Sequence, residues 1–204
     1  SPNGGETAKQ FQPYGSDDSQ YPEDLWQWLD ATSTRTGADF VAIPHNSNIS
    51  KGYMFQETTL KGEAMTPAYV KTRTRWEPVV EITQIKGDSE THPELSPNDP
   101  FADFEQYNFY IQKSDGGYVY KPNKADFVRP ALGTGLKIEE EIGINPFKFG
   151  VIGSTDSHSG IASADEDNFW GKMARDSTPE TKRNFGIGRR AVTGWNMAAQ
   201  GLAA

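Results

Sequence analysis

The chain has 204 residues, with 20 Lys plus Arg against 28 Asp plus Glu, a formal net charge of -8. That length suits one domain with a real core, and the acidic balance excludes a general nucleic-acid binder, which carries a basic face. Cysteine is absent, which excludes disulfides and thiolate-held zinc, and no apolar run reaches the roughly 18 residues that a membrane span needs.

Leu, Ile, Val and Phe make up only about 18% of the residues, a level at which a charged chain approaches disorder. Eleven Phe, eight Tyr and five Trp argue the other way, because each aromatic buries a large area. The expectation is a folded but loop-rich chain, punctuated by 20 Gly and 13 Pro.

Residues 1–21 are rich in Gly, Pro, Ser and Asp without a period and read as an arm or loop. Pro22, Glu23 and Asp24 then suit the first turn of a helix, Leu25, Trp26, Trp28 and Leu29 give it an apolar face, and Gly37 fits its stop. Residues 39–44 (DFVAIP) read as a short buried strand ending on His45. Residues 65–76 predict a second helix with Thr66 as N-cap and Pro67 in its first turn. The β-branched run over 78–85 predicts a second strand, and 86–103 a long turn-rich loop. A third helix falls within 126–143, centred on GLKIEEEIG, and a third strand at 147–153 runs into Ser154-Thr155-Asp156-Ser157-His158. Beyond it, 162–190 is polar and turn-like, and 191–204 is a weakly helical tail of small residues. The helix–strand alternation argues for βα units and a parallel sheet or barrel, within one α/β domain over 22–204. In such folds ligands gather at the carboxyl ends of the strands.

Chemistry concentrates there. His45 and His158 are two of only three histidines, and each falls just after a predicted strand. In extended backbone, side chains two residues apart share a face, so Asp156 and His158 can aim a carboxylate and an imidazole at one point. Such groups bind zinc, manganese or iron. Glu81 is a charge inside an apolar strand, and burying it unpaired would be costly. Plainer readings stand beside these: a hydrogen-bonded structural His45, a Glu81 on the solvated face of an edge strand, a structural His92. Lys86 either meets a substrate anion or caps the sheet edge. Gly133-Thr134-Gly135 is either a small anion loop or a helix-entry turn. Trp26, Trp28, Trp76, Phe101, Phe104 and Phe109 pack a core or line a cleft, and 172–190 reads as a solvated, mixed-charge loop.

VAIPHNSN, VVEITQIKGDSETHPELSP and FGVIGSTDSHSG resemble the DUF3604 family, a group of uncharacterised proteins similar to the PHP (polymerase and histidinol phosphatase) superfamily. The resemblance covers residues 24–204. It implies a distorted (βα)7-type barrel, a di- or trinuclear metal centre at the strand ends, and hydrolysis by a metal-activated water, of a phosphoester above all. On it, His45 matches the family's His after a strand, and Asp156 and His158 match the closing Asp-x-His. Glu81 matches the strand glutamate, with Glu90 in reserve. The opening His-x-His of PHP domains has no counterpart here, since no His precedes His45. The chain therefore reads as a fragment of a longer protein, folding as a partial PHP-like barrel with long loops and an incomplete metal site.

The expected function is a metal-dependent hydrolase with His45, Glu81, Asp156 and His158 as ligands. Asp156 doubles as the base, and Lys86 binds the substrate. The cofactor is a divalent Zn, Mn or Fe ion, with the site unfilled in a fragment. The partner is a small anionic molecule. No nucleic acid or membrane span is expected, and open sheet edges would favour self-association. An amidohydrolase-like enzyme and a non-catalytic binding module are the alternatives, and the compartment stays open between cytoplasm and periplasm.

Overall fold

The computed structural model describes residues 4–110 and 119–158. The turn-like 162–190, the charge run at 172–190 and the small-residue tail lie outside the described residues. The chain divides into two compact units, one built from 1–43, 56–79 and 132–150, the other from 44–55, 80–131 and 151–204.

The first unit is helical. After a short helix α1 (Gly4–Ala8), α2 (Pro22–Thr36) starts at Pro22 with Glu23 and Asp24 facing its positive end. It stops at Gly37, whose left-handed φ of 70° lets its N–H reach the Ser33 carbonyl at 2.8 Å. In α3 (Pro67–Trp76) the Thr66 hydroxyl accepts the Tyr69 N–H at 3.2 Å, filling a donor the first turn leaves open. The two helices pack on each other through Trp26, Leu29 and Trp76, with Leu25, Trp28, Phe40, Ala42 and Tyr69 around them. Aromatics thus supply the area that a shortage of aliphatics withholds. Trp26 also donates its indole N–H to Glu77 at 2.9 Å, and Glu77 pairs with the buried Arg73 at 3.0 Å.

Helix α4 (Val128–Ile142) contains Gly133, Thr134 and Gly135. Neither an anion loop nor an entry turn forms there. A Cβ on Gly135 would collide with the Asn145 side chain, so the glycine serves close packing inside the helix.

The second unit holds a small sheet of three strands: β1 (Val79–Gln84), β2 (Gly87–Asp88) and β3 (Gly150–Gly153), in the order β2-β1-β3. Ile85 and Lys86 turn β1 back into β2, antiparallel, with Thr83 opposite Asp88 and Gln84 opposite Gly87. On the other side of β1, the Ser154 N–H donates to the Thr83 carbonyl.

This architecture corrects the expected (βα)7-type barrel, partial or otherwise. The sheet is small and open, and one of its pairs is an antiparallel hairpin. Residues 39–44 form no strand: Ala42 donates to Trp76 and Pro44 accepts from Glu81, but these are single bonds, not a ladder. Pro44 has no N–H to extend one. Val151 and Ile152 of β3 are 51% and 38% exposed, whereas barrel strands are covered on both faces.

The long loop after β1 is held rather than loose. The Ser89 and Glu90 carbonyls accept the N–H groups of Val128 and Arg129, which open α4. Arg129 returns ion pairs to Glu90 and Asp99 at 2.6 and 2.7 Å. Asp126 is fully buried and accepts from the Ser50 hydroxyl and from the N–H groups of Gly52 and Asn123. Phe101, Phe104 and Phe109, read as core or cleft residues, stand exposed. Among the described residues, no helix is long and apolar enough to cross a membrane.

Candidate functional site

The sequence-predicted residues all fall in the second unit, around the ends of β1 and β3. Glu81 lies on β1, which has a strand on each side, so it does not belong to an edge strand. Its N–H donates to the Pro44 carbonyl at 3.0 Å, and one carboxylate oxygen accepts the Asn46 N–H at 3.1 Å. The turn that brings Asn46 there uses a left-handed φ of 54°, which asparagine tolerates better than most residues. Burial pushes the Glu81 carboxyl up, the Asn46 N–H, the His45 imidazole and the Gln84 amide pull it down, and Asp156 pushes it up again. His45, Glu81 and Asp156 therefore share one electrostatic neighbourhood, with the His45 side of it exposed to water.

Asp156 follows β3 and forms an ion pair with the Lys86 ammonium. Both side chains are mostly buried, at 19% and 9% exposure. Asp156 has a φ of 55°, so the Asp-x-His segment is not extended. The His158 ring folds back instead: Nδ1 lies 2.7 Å from the Asp156 carbonyl oxygen and 3.7 Å from its carboxylate.

Lys86 is fixed by groups the sequence reading did not single out. Its N–H donates to the Gln84 side-chain oxygen at 3.0 Å, and its carbonyl accepts from the Asn48 amide at 2.9 Å. Asn48 in turn accepts the Ser89 hydroxyl at 3.0 Å and the Tyr120 hydroxyl at 3.1 Å. One signal for them was present: an unbroken polar tract, His45-Asn46-Ser47-Asn48, directly after an apolar run. In that tract the buried Asn46 Oδ1 and Ser47 Oγ have no hydrogen-bond partner among the described residues, and a buried orphan of this kind is uncommon.

The reserve residue Glu90 is taken up by Arg129, and His92 is buried beside Tyr120 and Phe127. Both are supports of the loop.

A divalent ion needs several oxygen or nitrogen donors converging on one point. Among the described residues, no group of three or more His, Asp or Glu is placed to hold one. Asp156 is engaged by Lys86, and Glu81 by Asn46 and Gln84. As arranged, these residues do not fit a metal ion by themselves. What they assemble is a buried ammonium–carboxylate pair, a second carboxyl held toward its neutral form, and two imidazoles at the rim.

No curated protein and no solved structure matched the chain. A family model did match, described as a protein of unknown function, DUF3604, and it spans residues 1–204. The chain belongs to the DUF3604 family.

Proposed function

We propose that the protein is a metal-dependent hydrolase of the PHP-like type, acting on a phosphoester, and that the residues of this chain supply only part of its metal site. The observation that supports this reading is the buried Lys86–Asp156 pair at the end of β1 and β3, with Glu81 and His158 beside it. An ammonium suits the anionic oxygens of a phosphoryl group, and its buried stem keeps it in a place where water screens it little. Asp156 is the group to receive the proton of an attacking water. Glu81 lies in the same neighbourhood with its carboxyl pushed up by burial, which suits a group that returns a proton to a leaving oxygen. With a net charge of -8 the chain repels phosphates at long range, so recognition must come from Lys86 and other local cations.

The test is a panel of phosphomonoesters and phosphodiesters offered to the protein with manganese or zinc supplied. Turnover is expected, and it should fall at least about a hundredfold in Asp156→Asn, the scale of a lost general base. A protein that stays folded and turns over nothing in the panel would show the reaction class to be wrong.

A further inference from the structure

We propose that the turn at 100–105 is a docking surface for a basic partner protein, one that offers apolar side chains flanked by arginine or lysine. The surface lies in the second unit, beyond β2, and takes no part in the phosphoryl chemistry proposed above.

Single exposed apolar residues are ordinary on a protein surface, but a cluster of large ones marks a contact site. Phe101, Phe104 and Phe109 are close along the chain and stand 80%, 68% and 55% exposed. The backbone that carries them is nevertheless anchored. Ala102, between the first two, is buried. Its N–H donates to the Asp99 carbonyl at 3.2 Å, and its carbonyl accepts the Gln106 amide at 3.0 Å. The Phe104 N–H donates to the Phe101 carbonyl at 3.2 Å. From outside the turn, Arg129 pairs with Asp99 at 2.7 Å, and the Asp88 N–H donates to the Glu105 carbonyl at 3.0 Å. Phe109 rests edge-on against the buried Tyr107, with ring centroids 5.6 Å apart. The fold thus holds these rings in water on pinned main chain. An aromatic ordered in advance loses little freedom when a partner covers it, and such anchors carry much of an interface's energy.

The charge around the rings selects the occupant. Residues 87–112 contain six Asp and Glu and no Lys or Arg. Arg129 answers two of the six, Glu90 and Asp99, while Asp103 stands exposed between Phe101 and Phe104. Carboxylates beside apolar anchors attract a cationic partner and repel an acidic one. A guanidinium also sits favourably on an exposed phenylalanine face. A second copy of this chain, with a net charge of -8, brings the same carboxylates, and an anionic lipid brings phosphates, so both are disfavoured.

Selection of random displayed peptides on the chain tests this, with the recovered peptides synthesised and titrated. The expected peptides combine arginine or lysine with apolar side chains. They should bind Phe101→Ser/Phe104→Ser at least about tenfold more weakly, the scale of lost aromatic anchors. Both phenylalanines are exposed, so the variant should fold, which circular dichroism checks. Should it not fold, saturable ¹⁵N amide shifts confined to 99–109 of the wild type support the surface, and shifts only elsewhere overturn it. No enriched peptide, peptides without cationic residues, or peptides that bind the variant equally well overturn the proposal. A wild-type dimer that the double substitution dissociates gives the surface to a second copy, and phenylalanine-dependent sedimentation with phosphatidylcholine vesicles gives it to lipid. Either result overturns the basic partner.

Discussion

Two aspartates in the second unit, Asp126 fully buried and Asp88 half-buried, both have their carboxyls pushed up by burial. Asp126 is enclosed by the Ser50 hydroxyl and by the N–H groups of Gly52 and Asn123, which offset part of what burial costs its carboxylate. Asp88 accepts the Glu90 N–H at 2.6 Å, the Thr91 N–H and a long contact from Gln106 at 3.4 Å, yet burial pushes its carboxyl up to about 6. Between the ordinary aspartate range and that value, the folded chain holds a proton that the unfolded chain has released. The contribution of Asp88 to stability therefore falls as pH rises from about 4 to about 6 and then levels off. Asp88→Asn keeps an oxygen for the Glu90 N–H and removes the titration. Urea unfolding at pH 4 and pH 7 should show a smaller loss of stability in the variant, and a more stable variant at pH 7. Parallel losses in both proteins would mean that Asp88 ionises freely in the fold.

At the scale of the element, the hairpin between β1 and β2 depends on one glycine. Gly87 has a φ of 98°, and a Cβ there would come within 2.5 Å of the Tyr107 side chain and 3.0 Å of the Glu105 carbonyl. Gly37 at the end of α2 has a φ of 70° but open space around it. Gly37→Ala therefore carries only the left-handed backbone cost, about 1–2 kcal/mol, while Gly87→Ala adds a collision with main chain. Urea denaturation should find Gly87→Ala the more damaging of the two, and the opposite order would contradict the packing described for β2. The same contrast explains which elements were legible in the sequence. The starts and stops of α2 and α3 are local events, written in Pro22, Thr66, Pro67 and Gly37 themselves. A strand needs a partner far away in the chain, so residues 39–44, apolar enough for one, remain without regular structure and make isolated bonds. Gly133 and Gly135 read as a turn because their propensity says so, whereas the structure uses Gly135 inside a helix where Asn145 leaves no room for a Cβ, a contact that no local signal encodes.

For the molecule as a whole, alternation of helix and strand was a weak guide to topology. It predicts order along the chain but not which strands pair, and here a two-residue turn sends β2 back along β1 instead of onward to a helix. The candidate residues stood out more readily than the topology, because they are chemically conspicuous. His45, Glu81, Asp156 and His158 are polar groups at the ends of apolar runs, or inside one. What the sequence could not supply was their pairing. Nothing in the spacing of Lys86 and Asp156 indicates that the two would neutralise each other, or that Gln84 and Asn48 would hold Lys86 between them. On the proposed function, this cluster receives a phosphoryl group. The most direct measurement is a titration of the ¹⁵N-labelled chain with phenyl phosphonate in the presence of zinc, followed amide by amide. Saturable shifts are predicted at Asn46, Lys86, Asp156 and His158, with the helices of the first unit unmoved. Saturable shifts elsewhere alone, or none at all, would contradict the account.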